Sequence, residues 1–166
     1  QGLEALLARA EIYRGLGRFD EANQDFERAV ELYPGSPEAM AAWGNHAFAT
    51  GRIQQATELY GAAVDIAPGR AVGYLGLAAV AQAQGNLGEA LRQLDLAQAA
   101  VPTSAEAQLQ LGSIWADRGH WANAEAAYRE AVKLSPMTAD AYIGLAKASY
   151  QRWQDLDRAL SWLWQA

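Results

Sequence analysis

One interval governs this chain. Pro34, Pro68, Pro102 and Pro136 recur every 34 residues, and Gly17, Gly51, Gly85 and Gly119 keep the same interval in another register. Two alanine columns run in phase with them, Ala22, Ala56, Ala90, Ala124 and Ala29, Ala63, Ala97, Ala131. Four columns sharing one period mark an internal repeat, so the chain is expected to stack small units rather than wrap a single core.

The stretch 105–138 shows what one unit contains. Leu109, Leu111, Ile114 and Trp115 recur at helical spacing, Gly119 breaks the run, and Ala124, Tyr128, Ala131 and Leu134 open a second periodic face before Pro136. This pattern predicts two amphipathic helices, A and B, joined by a tight turn and stopped by proline. A unit of 34 residues with Ala, an aromatic, Ala and Pro at these offsets resembles the tetratricopeptide repeat.

With Leu3, Pro37, Ala71, Ala105 and Ala139 as first positions, the family's small eighth residue falls on Ala10, Gly44, Ala78, Gly112 and Ala146. Its helix-B aromatic falls on Phe26, Tyr60 and Tyr128, with Leu94 as the exception. The usual tryptophan at position four is replaced by Leu6, Met40, Tyr74, Gln108 and Tyr142. The resemblance covers essentially the whole chain. It implies an all-α fold, a right-handed α-solenoid of antiparallel helix pairs. The chain is expected to be a single array over 1–166, with repeats near 3–36, 37–70, 71–104, 105–138 and 139–166.

Local signals refine the boundaries. Ser36-Pro37-Glu38 reads as N-cap, N1 proline and first-turn acid, Asp20 as the N-cap of a second helix, and Thr103-Ser104-Ala105-Glu106 as a capping box. The fifth repeat departs from the pattern: its turn, Arg152-Trp153-Gln154, lacks glycine and carries one extra residue, which shifts the family alanine to Ala159. It is expected to be irregular and without a capping helix. Because the chain opens with Gln1 and starts at the first residues of a helix, it reads as a piece of a longer protein. Its alanine-rich, arginine-over-lysine repeats look bacterial.

Composition removes several function classes. A net charge of −6 argues against nucleic-acid binding, which rests on neutralising phosphates. No apolar run approaches the roughly 20 residues that span a bilayer. The absence of cysteine excludes disulfide and thiol chemistry and suits cytoplasm or periplasm equally. His46 and His120 stand in different repeats and fit no metal-ligand spacing. There is no Gly-rich phosphate loop, so no enzyme activity, metal or cofactor is expected.

The resemblance implies that positions two, five, six, nine, 12 and 13 of each A helix face a concave groove. Position five carries Leu7, Ala41, Leu75, Leu109 and Ile143, an apolar stripe, of which Leu7 and Ile143 serve equally well as packing between neighbours. The expected partner-binding residues are Asn45, Phe48, Leu75, Gln82, Leu109, Gln110 and Ser113, suited to a peptide or helix of a protein partner. Family members that grip a C-terminal carboxylate need Lys, Asn and Arg at places held here by Leu7, Glu11, Ala42, Val72 and Gly76, so that clamp is not expected. Acids at position two (Glu4, Glu38, Glu106, Asp140) are accounted for by the helix dipole.

The function implied is a non-enzymatic protein-interaction scaffold. The alternative is a structural, oligomerisation or spacer module of a larger assembly, such as secretion, pilus or polysaccharide-export machinery. It would act end to end through Trp153, Leu160, Trp162 and Trp164.

Overall fold

The computed structural model describes residues 2–165. Among them ten helices follow one another: α1 (Leu3–Gly15), α2 (Phe19–Leu32), α3 (Pro37–Ala49), α4 (Ile53–Ile66), α5 (Ala71–Ala83), α6 (Leu87–Ala100), α7 (Ala105–Asp117), α8 (Trp121–Leu134), α9 (Ala139–Trp153) and α10 (Leu156–Leu163). Consecutive helices pack as antiparallel pairs, and each odd-numbered helix also touches the next odd-numbered one. The result is an all-α solenoid of five helix pairs. Among the described residues no helix is long and apolar enough to cross a membrane.

The turn inside each pair is made by a left-handed residue, which glycine adopts without steric cost. Gly17, Gly51, Gly85 and Gly119 all have φ between 72° and 77°. In the fifth pair, one residue late, Gln154 takes that place with φ 54°.

Helix starts agree with the sequence in one case and differ in two. Ser36 Oγ accepts the Ala39 N–H at 3.1 Å, with Pro37 at N1. Asp20, expected as an N-cap, lies in the first turn of α2, whose cap Arg18 makes no side-chain capping bond. The capping box expected from Thr103 to Glu106 does not form; Ser104 is the cap, accepting from Ala107 N–H at 3.2 Å. Glu106 therefore sits at N2, where the box needs it at N3.

The core is thin and alanine-lined. Ala22, Ala56, Ala90 and Ala124, with Ala29, Ala63, Ala97 and Ala131, are fully buried and let helix axes approach. Between them sit Phe26, Tyr60, Leu94 and Tyr128, one buried side chain in each of the first four B helices.

The joints between repeats are unequal. A Cβ added to Gly44 or Gly76 would stand 2.7 or 2.2 Å from Tyr60 ring atoms, and one added to Gly112 or Gly144 would stand 2.6 or 2.5 Å from those of Tyr128. Each tyrosine thus fills a slot that exists because glycines flank it on both sides. The slots close α4 onto α5 and α8 onto α9, which pack far more extensively than α2 on α3 or α6 on α7. At the last of these joints Gln110 occupies the register of Gly76 and Gly144, so the glycine of the closely packed joints is missing there.

Candidate functional site

The odd-numbered helices share one face, and between α3, α5 and α7 lies a cleft of about 260 Å³. Phe48, Val72, Leu75 and Ala79 give it an apolar floor, with Tyr60 and Gly76 beneath. Asn45, Glu106 and Gln110 supply its polar groups.

Asn45 is oriented from below. The Tyr60 hydroxyl donates to Asn45 Oδ1 at 2.7 Å, which leaves the Asn45 NH2 as a donor. Burial pushes the Tyr60 hydroxyl up to about 12, so it remains a protonated donor throughout the physiological range. Gln110 Oε1 is buried and lacks a hydrogen-bond partner. Glu106 is exposed, and neither a hydrogen bond nor an ion pair to it exists among the described residues.

Of the residues expected to line the groove, Asn45, Phe48, Leu75 and Gln110 come together in this cleft. Gln82 and Ser113 lie farther along α5 and α7: Gln82 Nε2 donates to Asp117 Oδ2 at 2.8 Å and reaches Ser113 Oγ at 3.4 Å. Leu109 is placed elsewhere, packed against the cluster of Tyr128, Leu145 and Ala148. Leu7 packs on the Leu6 and Phe26 clusters, whereas Ile143 is exposed. Val72, Ala79 and Glu106 line the cleft beyond the expected set, and they stand at positions two and nine, where groove residues are anticipated.

The C-terminal end holds a second constellation. Glu125 on α8 is 1% exposed and is met by three arginines. Arg129 and Arg158 donate to its Oε1 at 2.6 and 3.2 Å, and Arg152 and Trp153 Nε1 to its Oε2 at 2.9 and 3.2 Å. Burial pushes the Glu125 carboxyl up. The bonds from Arg152 and Trp153 and the charges of Arg129 and Arg158 outweigh it and hold the group below its ordinary value. The extra residue in the fifth turn brings Arg152 and Trp153 to this carboxylate, so the irregular repeat is pinned where its glycine is missing.

Of the four residues expected at an end-to-end interface, Trp153, Leu160 and Trp164 are exposed, Trp164 at 88%. Trp162 turns inward onto the Tyr128–Leu145 cluster, with the Arg129 guanidinium 5.9 Å from its ring centre. It stands in the register of Asp25, Leu59, Gln93 and Ala127, all buried, once the one-residue shift is counted.

Comparisons with known proteins agree with this architecture. A family model described as tetratricopeptide repeat matches residues 7–71 and 116–166, and a second such model matches 47–111. Among solved structures, the thermophilic tetratricopeptide repeat protein TTC0263 of Thermus thermophilus is 27% identical with a TM-score of 0.81, over 97% of this chain and 88% of that one. PilF of Pseudomonas aeruginosa is 18% identical with a TM-score of 0.78, over 98% of this chain and 75% of that one. YrrB, a repeat protein described as having an unusual peptide-binding site, is 19% identical with a TM-score of 0.58, over 96% of this chain and 82% of that one. The last two likenesses concern the fold alone. No curated protein matches the chain. With the matched models spanning most of its length, the chain belongs to the tetratricopeptide repeat family.

Proposed function

We propose that this chain captures a segment of a partner protein in the cleft between α3, α5 and α7. Tetratricopeptide repeats are generally protein-interaction modules and typically non-enzymatic, which gives the class of activity. The observation that carries the reading is the pairing of an apolar floor with an amide held in place by Tyr60. Phe48 and Leu75 contact an apolar side chain of the segment, and the Asn45 and Gln110 amides bond its backbone, fixing register as amides do along an extended chain. Gln82 and Ser113 continue the polar edge, while Leu109 supports the groove from within the core. A peptide-binding site described for YrrB is an analogy from the fold.

A photocrosslinking residue in place of Ala79, which lines the cleft and belongs to no core cluster, tests this directly. The same probe at Arg28, exposed on α2, is the control. Adducts with protein partners are expected from the first site only. Equal yields from both would remove the groove reading.

A second reading has its own observation. The tenth position of the A helix is buried against the preceding repeat in His46, Val80, Ile114 and Ala148, none more than 4% exposed, whereas Ile12 in α1 is 62% exposed. Within this chain Ile12 at α1 and Leu160, Leu163 and Trp164 at α10 are thus exposed apolar side chains at the two ends of the described helices. As a structural module it would stack another repeat array on these faces. Light scattering across a concentration series tests this: growth in mass reversed by Leu160→Ser/Trp164→Ser supports stacking, and a constant monomer mass removes self-stacking.

A further inference from the structure

We propose that the cleft is selective for a basic side chain, so that the captured segment carries an arginine or lysine next to an apolar residue. This rests on the groove reading and deepens it.

Glu38 and Glu106 hold the same position in α3 and α7. Glu38 is paired with Arg70, which caps the start of α5. The register of Arg70 in the later repeat holds Thr138, whose hydroxyl is engaged with Ser135 Oγ at 2.9 Å. Glu106 is therefore left without the cation that its counterpart has, at the mouth of a cleft to which no lysine or arginine among the described residues contributes.

The second acceptor is one turn further on. Gln110 follows Glu106 at i+4 on the same face of α7, and its Oε1 is a buried acceptor with no donor. An unfilled buried acceptor is costly, and a ligand N–H removes that cost. A donor group carrying positive charge satisfies both residues, given a small rotation of the Gln110 amide.

The rest of the cleft suits the stem of such a residue. Phe48, Val72 and Leu75 form an apolar surface for the methylene chain, since lysine and arginine bury their stems and keep their heads polar. An aromatic ring in the wall adds attraction for a cation. An acidic head would meet Glu106 with like charge, and a purely apolar one would leave Glu106 unpaired.

The test is selection from a random-peptide phage library on the wild-type protein. Individual peptides are then measured by fluorescence polarisation on wild type, Glu106→Gln and Ala79→Trp, with circular dichroism to check folding. Should Ala79→Trp lose its helical signal, Ala79→Leu provides a gentler block. Selected peptides are expected to share a basic residue beside an apolar one and to lose binding when the cleft is blocked. They should bind Glu106→Gln roughly two- to fivefold more weakly, the range of an exposed ion pair. Replacing the basic residue by methionine should abolish the difference between wild type and Glu106→Gln. Peptides that the block displaces but that lack a basic residue, or ignore Glu106→Gln, overturn this inference and leave the groove reading standing. Recovery of no peptides, or only of peptides indifferent to the block, overturns both.

Discussion

Tyr60 and Asn45 are joined by a 2.7 Å hydrogen bond that runs from the buried slot between α4 and α5 to the open cleft. One residue thereby serves two purposes: its ring fills the gap between Gly44 and Gly76, and its hydroxyl sets an amide at the candidate binding surface. Tyr60→Phe keeps the first and removes the second. Denaturant melts should show a loss of only about 1 kcal/mol, while affinity for groove-binding peptides should fall clearly. An affinity unchanged from wild type would separate Asn45 from recognition.

Gly76→Ala tests the slot itself. On an exposed helix the change would stabilise by about 1 kcal/mol. Here the new Cβ meets the Tyr60 ring at 2.2 Å, and overpacking costs about 1–3 kcal/mol. Urea denaturation should therefore show a net loss, partly recovered by adding Tyr60→Leu, the residue type that Leu94 supplies in the third repeat. A net gain in stability would mean that the slot is not tight.

His46 gives a prediction in pH. Its ring is fully buried near Phe26 and Phe19, at centroid distances of 5.2 and 6.2 Å. Burial lowers its proton affinity first, and Arg52 and Arg14 lower it further, against opposing pulls from Glu11 and the Phe19 backbone. The unfolded chain takes up a proton below about pH 6.5 while the folded one resists it. Stability is thus complete above that pH and declines as pH falls toward the folded value. Urea midpoints measured at pH 7.5 and 5.5 should differ in the wild type and differ less in His46→Leu.

Glu125 should lose its contribution in a lower window. Its folded carboxyl lies below the ordinary range, so its ion pairs stabilise the fold above about pH 4.3 and fade as pH falls through the folded value. Glu125→Gln leaves Arg129, Arg152 and Arg158 facing one another. At neutral pH it should cost about 1–3 kcal/mol, moderated by the solvated arginine ends. The loss should appear as early exchange of amide hydrogens in α9 and α10, with α3 to α6 unaffected. Uniform loss along the array would contradict a local role.

Gln154 is a non-glycine residue at φ 54° where the other four turns have glycine. Gln154→Gly should raise stability by up to about 1 kcal/mol by relieving left-handed strain, read as a higher melting temperature. A fall would mean that the Gln154 side chain, which donates to the Gln151 carbonyl at 3.4 Å, outweighs the backbone.

The solenoid was legible because period, proline and glycine are local signals carried by every unit. The helix caps were less so: Thr103 and Ser104 are both competent, and only chain direction at Val101–Ser104 selects the second. Helical register puts Asn45, Phe48, Leu75 and Gln110 on one face but does not distinguish Leu75 from Leu109. These share a register and each packs on a core cluster, Leu75 on that of Leu94 and Ile114 and Leu109 on that of Tyr128, but Leu75 alone of the two also lines the cleft. Trp162 looked like an end residue because the shifted turn changes the face of every side chain after Gln154. Glu125 was hidden for the same reason. Its register carries Asn23, Thr57 and Leu91 elsewhere, and the fifth repeat adds Arg152 and Arg158 to the i+4 partner Arg129.

Where α6 meets α7, Gln110 stands in the place that glycine holds in the closely packed joints. A stack whose joints differ in closeness does not flex evenly along its length; its compliance gathers at the loosest junctions. Such a junction lies under the cleft, with Phe48 and Leu75 on one side of it and Glu106 on the other. The curvature of the array at that point sets the width of the cleft, so a segment seated there would act as a brace between the closely packed units α3–α6 and α7–α10, and tension along the solenoid would loosen its grip.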